Sequence, residues 1–95
     1  MALLAVMTNR VKFGSEADLE RLSIEYARAA REDPGCVEFR FARDVEDPEV
    51  MVFIEKWATC EDFNDHSKHD HTREFIAAAA EFTTGAPHMV FANVG

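Results

Sequence analysis

The sequence predicts an α+β domain in which four strands and two helices follow one another in the order βαββαβ. Four short segments show the alternation or apolar run of strands, and two longer segments repeat apolar residues at helical spacing. Connections between them are short, so the strands can form one antiparallel sheet with both helices on one face, the ferredoxin-like arrangement. The length of 95 residues fits a single domain over residues 1–95.

The first half of the chain supplies a strand, a helix and a second strand. Residues 3–8 form the first strand, which can extend to residue 11. Ser15 is then expected to cap a helix, with Asp18 as its capping-box partner. The segment 33–35 ends that helix, because Pro34 restricts the residue before it. Residues 36–43 form the second strand, with Val37, Phe39 and Phe41 on one face.

The third strand, residues 50–57, carries the most informative face of the chain. Side chains alternate along a strand, so Met51, Phe53, Glu55 and Trp57 point the same way. A carboxyl group among three large apolar groups must find a partner, stay neutral or serve a function. This strand therefore predicts one wall of a pocket.

The pattern in the last third of the chain predicts a second helical segment and a final strand. Thr59 is expected to cap the helix with Asp62 as its partner, and the helix pauses around His69 and Asp70. It resumes over residues 74–82, which are rich in alanine. A loop over 83–87 leads into a strand at 88–94.

Composition excludes several kinds of partner. The net charge of −8 disfavours nucleic acid and anionic membranes, and no apolar run approaches the roughly 20 residues of a membrane span. No export signal is evident, which predicts a cytoplasmic protein with Cys36 and Cys60 reduced. The chain is 47% hydrophobic and has eight Phe, while helices cover only one sheet face. We therefore expect a homodimer formed through the sheets.

With the elements placed, the sequence resembles the antibiotic biosynthesis monooxygenase domain, a ferredoxin-like family of α/β-barrel dimers. The resemblance spans nearly the whole chain and rests on a PGC turn, a D-x-x-x-P hairpin, an E-x-W strand end and an H-x-x-x-x-H step. These motifs lie at residues 33–36, 43–48, 54–57 and 66–71. Their order is specific for the family and not for one reaction, since members include cofactor-free oxygenases, haem-degrading enzymes and other small-molecule enzymes.

The chain departs from two branches of that family. Asn9-Arg10 together with Trp57 resembles the haem-degrading branch, but Ala79 stands where that branch has its haem-binding histidine. Polyketide-type oxygenases often carry an asparagine four residues before the tryptophan, and Phe53 occupies that position here. The resemblance thus implies no haem, and we expect no flavin or essential metal.

The candidate site follows from the strand face and the resemblance together. His66, His71, Asn9 and Glu55 are the candidate catalytic groups, and Trp57, Phe53 and Tyr26 the candidate substrate-binding groups. Most have a structural alternative, which for Trp57 and Tyr26 is a place in the core and for Glu55 an ion pair with Arg10 or Arg43. Asn9 can be a turn residue, His66 a helix histidine with satisfied hydrogen bonds, and His71 a partner of backbone groups at a helix start. The His- and Asp-rich stretch at 65–71 also contains residue types that bind transition metals, although its spacing matches no recognised zinc motif.

The resemblance implies a cofactor-independent monooxygenase that oxidises an electron-rich phenol, quinol or anthrone with dioxygen. A histidine would act as the base and Asn9 would orient oxygen, while Trp57 and Phe53 would stack on the substrate ring. Three alternatives stay open. One is a non-oxidative isomerase or processing enzyme of a small hydroxy-carbonyl signalling metabolite. The others are an enzyme of the haem-degrading type and a dimeric binding module without catalysis.

Overall fold

The computed structural model describes residues 1–95 and confirms the predicted α+β fold. One sheet contains all four strands in the order β2-β3-β1-β4, and every neighbouring pair is antiparallel. The elements are β1 (Ala2–Arg10), α1 (Glu16–Ala30), β2 (Cys36–Arg43), β3 (Val50–Trp57), α2 (Cys60–Lys68), α3 (Asp70–Ala79) and β4 (His88–Val94). This is the ferredoxin-like arrangement with three helices.

The expectation of two helices is corrected to three at His69. Its backbone is extended, with φ −65° and ψ 148°, so the hydrogen-bonding ladder of α2 stops there and α3 starts at the next residue. The predicted pause was therefore in the right place. Because the chain leaves the helical conformation at His69, α2 and α3 do not share one continuous axis, and residues of both helices can face the same region.

The two predicted helix caps have different outcomes. Thr59 accepts a hydrogen bond from the backbone N–H of Asp62, as expected for a cap. Ser15 makes no side-chain cap bond, so that prediction was wrong: its own backbone, at φ −104° and ψ 9°, is not in the extended region typical of a capping residue. The first turn of α1 still carries Glu16 and Asp18, whose charges favour that helix end.

The strand β2 contains a bulge that removes one residue from the predicted buried face. The register shifts between Cys36 and Glu38, and Val37 is 59% exposed. Phe39 is fully buried and Phe41 half-buried, so only these two members of the predicted face pack inward.

The two faces of the sheet differ sharply. The β1–β3 register sets Leu3 opposite Trp57 and Ala5 opposite Glu55, and all four are buried under the helices. The core joins this face to residues of α1 and α3 such as Leu19 and Phe75. The other face has no helix over it and is largely apolar: Leu4, Val6, Val52, Ile54, Val90 and Ala92. No helix combines the length and the apolar character needed to cross a bilayer.

Candidate active site

A buried carboxyl group lies at the centre of the helix-facing side of the sheet. Glu55 is 3% exposed, and its Oε1 accepts a hydrogen bond from the indole Nε1–H of Trp57 at 3.0 Å. Burial raises the pKa of Glu55 to about 7, and the indole hydrogen bond offsets only part of that effect. The expected ion pairs are not formed, since Arg10 contacts Asp47 and Arg43 approaches Glu20.

Glu55 lines a small cavity between the sheet and the helices. The cavity has a volume of about 160 Å³ and is mostly apolar. Its walls come from β1, β3, β4, all three helices and Pro87 in the loop before β4. The lining residues are Met7, Tyr26, Glu55, Phe63, His66, Ser67, Thr72, Phe75, Ile76, Pro87 and Met89. A dry cavity of roughly 150 Å³ is large enough to hold one benzene ring.

A chain of hydrogen bonds runs from the cavity wall to a buried aspartate. The Tyr26 hydroxyl lies 2.9 Å from His66 Nε2, and His66 Nδ1 lies 2.6 Å from Asp33 Oδ2. All three residues are less than 10% exposed. The Thr72 hydroxyl stands 3.4 Å from both the Tyr26 oxygen and His66 Nδ1.

His71 joins this chain from its outer side. Its Nε2 lies 2.8 Å from the same Asp33 oxygen, and its side chain is 31% exposed. His71 is absent from the cavity lining and borders a separate surface hollow near Glu25 and Glu74. The two predicted histidines therefore meet at Asp33, but only His66 faces the cavity.

The protonation states follow from these contacts. Burial by itself would raise the pKa of the Asp33 carboxyl. The hydrogen bonds from His66 and His71 have the larger effect together, and the pKa of this carboxyl is lowered. Burial lowers the pKa of His66 despite Asp33, and burial also raises the pKa of Tyr26 far above its usual value. A carboxylate only accepts, so His66 donates its Nδ1–H to Asp33. Neutral His66 then accepts a hydrogen bond at Nε2 from the Tyr26 O–H.

The remaining predicted residues lie around the cavity without lining it. Trp57 is fully buried with its ring 4.4 Å from that of His66, and Phe53 packs edge-on against Tyr26 and Phe75. Both therefore support the cavity walls from behind. Asn9 lines a second cavity of about 180 Å³, which shares four lining residues with the first: Met7, Phe75, Ile76 and Pro87.

Sequence reasoning missed Asp33 as a site residue and treated it only as part of a helix-ending turn. A signal was present: a negative charge just beyond the C-terminus of a helix opposes the helix dipole, which favours a donor or cation nearby. Thr72 was also missed, and no pattern in the sequence distinguishes it from an ordinary helix residue.

The structure also groups potential metal ligands differently from the sequence. Asp33, His66 and His71 place one ligand atom each within 4.8 Å of one another, whereas Asp65, His69 and Asp70 are exposed and lie outside this group. Two imidazoles and a carboxylate are suitable ligands for several transition metals. The spacings of 2.6 and 2.8 Å are also those of direct hydrogen bonds, which by themselves satisfy all three groups.

The comparisons with known proteins agree with this fold. The family model for "Antibiotic biosynthesis monooxygenase" matches residues 2–78, so the chain belongs to that family. No curated protein matches the sequence.

Several solved structures share the fold at low sequence identity. A conserved protein from Methanosarcina mazei Go1 is 20% identical with a TM-score of 0.93, over 97% of this chain and 91% of its own. A candidate antibiotic biosynthesis monooxygenase from Nitrosomonas europaea is 16% identical with a TM-score of 0.94, over 98% and 89%. Another from Deinococcus radiodurans is 19% identical with a TM-score of 0.92, over 98% and 92%.

Proposed function

We propose that this chain is a cofactor-independent monooxygenase that oxidises a small electron-rich aromatic compound, such as a phenol, quinol or anthrone, with dioxygen. Membership of the antibiotic biosynthesis monooxygenase family supports the general reaction class. The apolar cavity of about 160 Å³ supports the substrate class, because it accommodates one aromatic ring and adjoins a second cavity.

The observation that carries this proposal is Glu55 in the cavity wall. Its carboxyl has one hydrogen bond, from Trp57, and a pKa of about 7. A base with a pKa near the working pH is the most effective proton acceptor, because it is substantially deprotonated and still basic. Glu55 therefore replaces the histidines as our first choice of base, since both nitrogens of His66 are engaged and His71 lies outside the cavity.

The reaction requires no electron carrier from the protein. Glu55 takes a proton from the substrate, and the resulting anion supplies electrons to dioxygen as a carbon–oxygen bond forms. The peroxide anion takes the proton back from Glu55 and then loses water, so the CH₂ group of an anthrone and O₂ become C=O and H₂O; in a phenol or quinol, a ring C–H and the hydroxyl proton supply the two hydrogens. The Asn9 amide makes no side-chain hydrogen bond within the protein, so it is free to orient the peroxide or a substrate oxygen from the second cavity.

Oxygen uptake by Glu55→Gln tests the proposal. With a dihydroxynaphthalene or an anthrone as substrate, we expect turnover to fall on the order of a hundredfold or more, because the amide cannot accept the proton. Glu81→Gln, at an exposed position beyond α3, is the matched control and should retain activity. Equal activities of the two variants would contradict the assignment of Glu55 as the base.

A non-oxidative isomerase is the second candidate, because Glu55 and Tyr26 place a proton acceptor and a proton donor in one cavity wall. Such an enzyme would interconvert a hydroxy-carbonyl compound without consuming oxygen. Turnover that depends on Glu55 in the absence of oxygen would favour this candidate. Binding without any turnover would favour a binding module.

A further inference from the structure

The hydrogen-bonded chain behind the cavity has a direction. Asp33 accepts from two imidazoles on one oxygen, at 2.6 Å from His66 and 2.8 Å from His71. This arrangement holds His66 with its proton on Nδ1 and leaves Nε2 as a hydrogen-bond acceptor. The Tyr26 hydroxyl, at 2.9 Å, is the donor to that nitrogen.

The surroundings keep this geometry rigid. The Tyr26 ring stacks on Phe75 at 4.2 Å with an interplanar angle of 6°, and Phe39 and Phe53 pack edge-on against it. The His66 ring lies 4.4 Å from Trp57. A cluster packed in this way holds the hydroxyl, the imidazole and the carboxylate in a fixed line.

We propose that Tyr26, His66 and Asp33 form a proton relay. Tyr26 faces the cavity, takes a proton from a bound hydroxyl group and passes its own proton to His66 Nε2. Asp33 is a positioning residue that fixes the imidazole and stabilises its cation. The bond that breaks is the ligand O–H bond and the bond that forms is the Nε2–H bond, so atoms and charges balance.

The relay deepens the proposed function and rests on the cavity being a phenol site. It gives the cavity a second proton acceptor besides Glu55, which suits an aromatic substrate with two ionisable groups, such as a quinol. His71 holds Asp33 from its solvent-facing side. The carboxylate that stabilises the His66 cation is therefore itself held by a second imidazole donor, with Asp33 between the two rings.

Binding of 4-nitrophenol tests the relay without any oxygen chemistry, because its anion absorbs visible light. We expect Asp33→Asn to raise the pH at which bound nitrophenol ionises by roughly one pH unit, a tenfold change in its ionisation equilibrium. Tyr26→Phe keeps the stacked ring and removes the hydroxyl, so it should give a similar shift. The double variant should shift no further, since both changes interrupt one relay.

Asp65→Asn, at an exposed position on α2, is the matched control and should leave the ionisation unchanged. The relay would be overturned if only Glu55→Gln shifted the ionisation, while Asp33→Asn and Tyr26→Phe left it unchanged. Additive shifts in the double variant would also overturn it. Failure of the wild-type protein to bind nitrophenol would overturn both the relay and the phenol site. Ionisation of nitrophenol as described, together with no oxygen uptake on a dihydroxynaphthalene or an anthrone, would support the relay and contradict the monooxygenase.

Nitrogen NMR of His66 gives an independent readout on the resting protein. We expect the proton on Nδ1 in the wild type, and a lower His66 pKa in Asp33→Asn because the carboxylate that favours the cation is gone. Groups that act on this imidazole are Asp33, Tyr26, Glu55, His69 and His71, so the titration is compared between variants that differ only at residue 33. A wild-type proton on Nε2 would contradict the relay.

Discussion

At the scale of single residues, the site depends on placing polar groups where burial changes their acidity. Glu55 is a buried carboxyl with one hydrogen bond, whereas Asp33 is a buried carboxyl with two imidazole donors. Burial dominates at Glu55 and raises its pKa to about 7, while the donors dominate at Asp33 and lower its pKa. Two carboxyl groups within one site thus have opposite protonation behaviour.

The raised pKa of Glu55 predicts a stability cost at high pH. The unfolded chain releases this proton near its ordinary pKa of 4.5 and the folded chain only near 7. The folded state therefore binds more protons between those values, and the free energy of unfolding falls as the pH rises. The full effect is about 3 kcal/mol at most.

Urea unfolding at pH 5 and pH 8, at a fixed protein concentration, measures this cost. Glu55→Gln should lose less stability than the wild type over this interval, because the amide does not titrate. His66 has the opposite sign below pH 6.5, since its lowered pKa costs stability as the pH falls, but it is present in both proteins. If the stabilities of the two proteins changed with pH in parallel, folding would not raise the pKa of Glu55.

At the scale of elements, the site requires the turn after α1 to dock on the start of α2. Gly35 has a φ of +82°, and its carbonyl accepts the N–H of Ala58 at 2.8 Å. An added Cβ would lie 2.2 Å from Asp62 Cγ. This close approach holds Asp33, two residues earlier, within reach of His66 on α2.

Gly35→Ala should therefore destabilise the protein more than Gly85→Ala. Gly85 has a similar φ of +73° but open space around it, so its substitution costs only the backbone strain of roughly 1–2 kcal/mol. The Gly35 variant adds the collision with Asp62. Thermal unfolding compares the two, and Asp62→Gly, which also removes the Asp62 Cβ at 2.5 Å, should reduce the cost of Gly35→Ala. Equal losses at both glycines would contradict the close contact.

At the scale of the whole molecule, the sheet face that carries no helix is the main apolar surface without a packing partner. Ile54 is 37% exposed and Val90 is 51% exposed, and both lie on this apolar face. Contiguous exposed apolar surface of this kind is typical of an interface. We propose that two copies pack through their sheets, which leaves the cavities on the outer, helix-covered sides.

Light scattering at micromolar concentration should give the mass of a dimer for the wild type. Ile54→Glu should shift the protein towards monomer, because it places a charge in the proposed interface. Phe13→Glu is the matched control, since Phe13 is 96% exposed in the turn between β1 and α1 and lies outside the sheet. A monomeric wild type, or equal effects of both variants, would contradict the sheet-to-sheet dimer.

Local patterns in the sequence were sufficient to determine the order of strands and helices along the chain, the break near His69 and the shared face of Phe53, Glu55 and Trp57. Periodicity is a property of a few neighbouring residues, so it can be predicted without knowing the fold. Only the tertiary structure decided that Asp33 meets His66 and His71, which lie 33 and 38 positions further along the chain. Such contacts depend on how helices pack across a sheet, and the period of a segment carries no information about that.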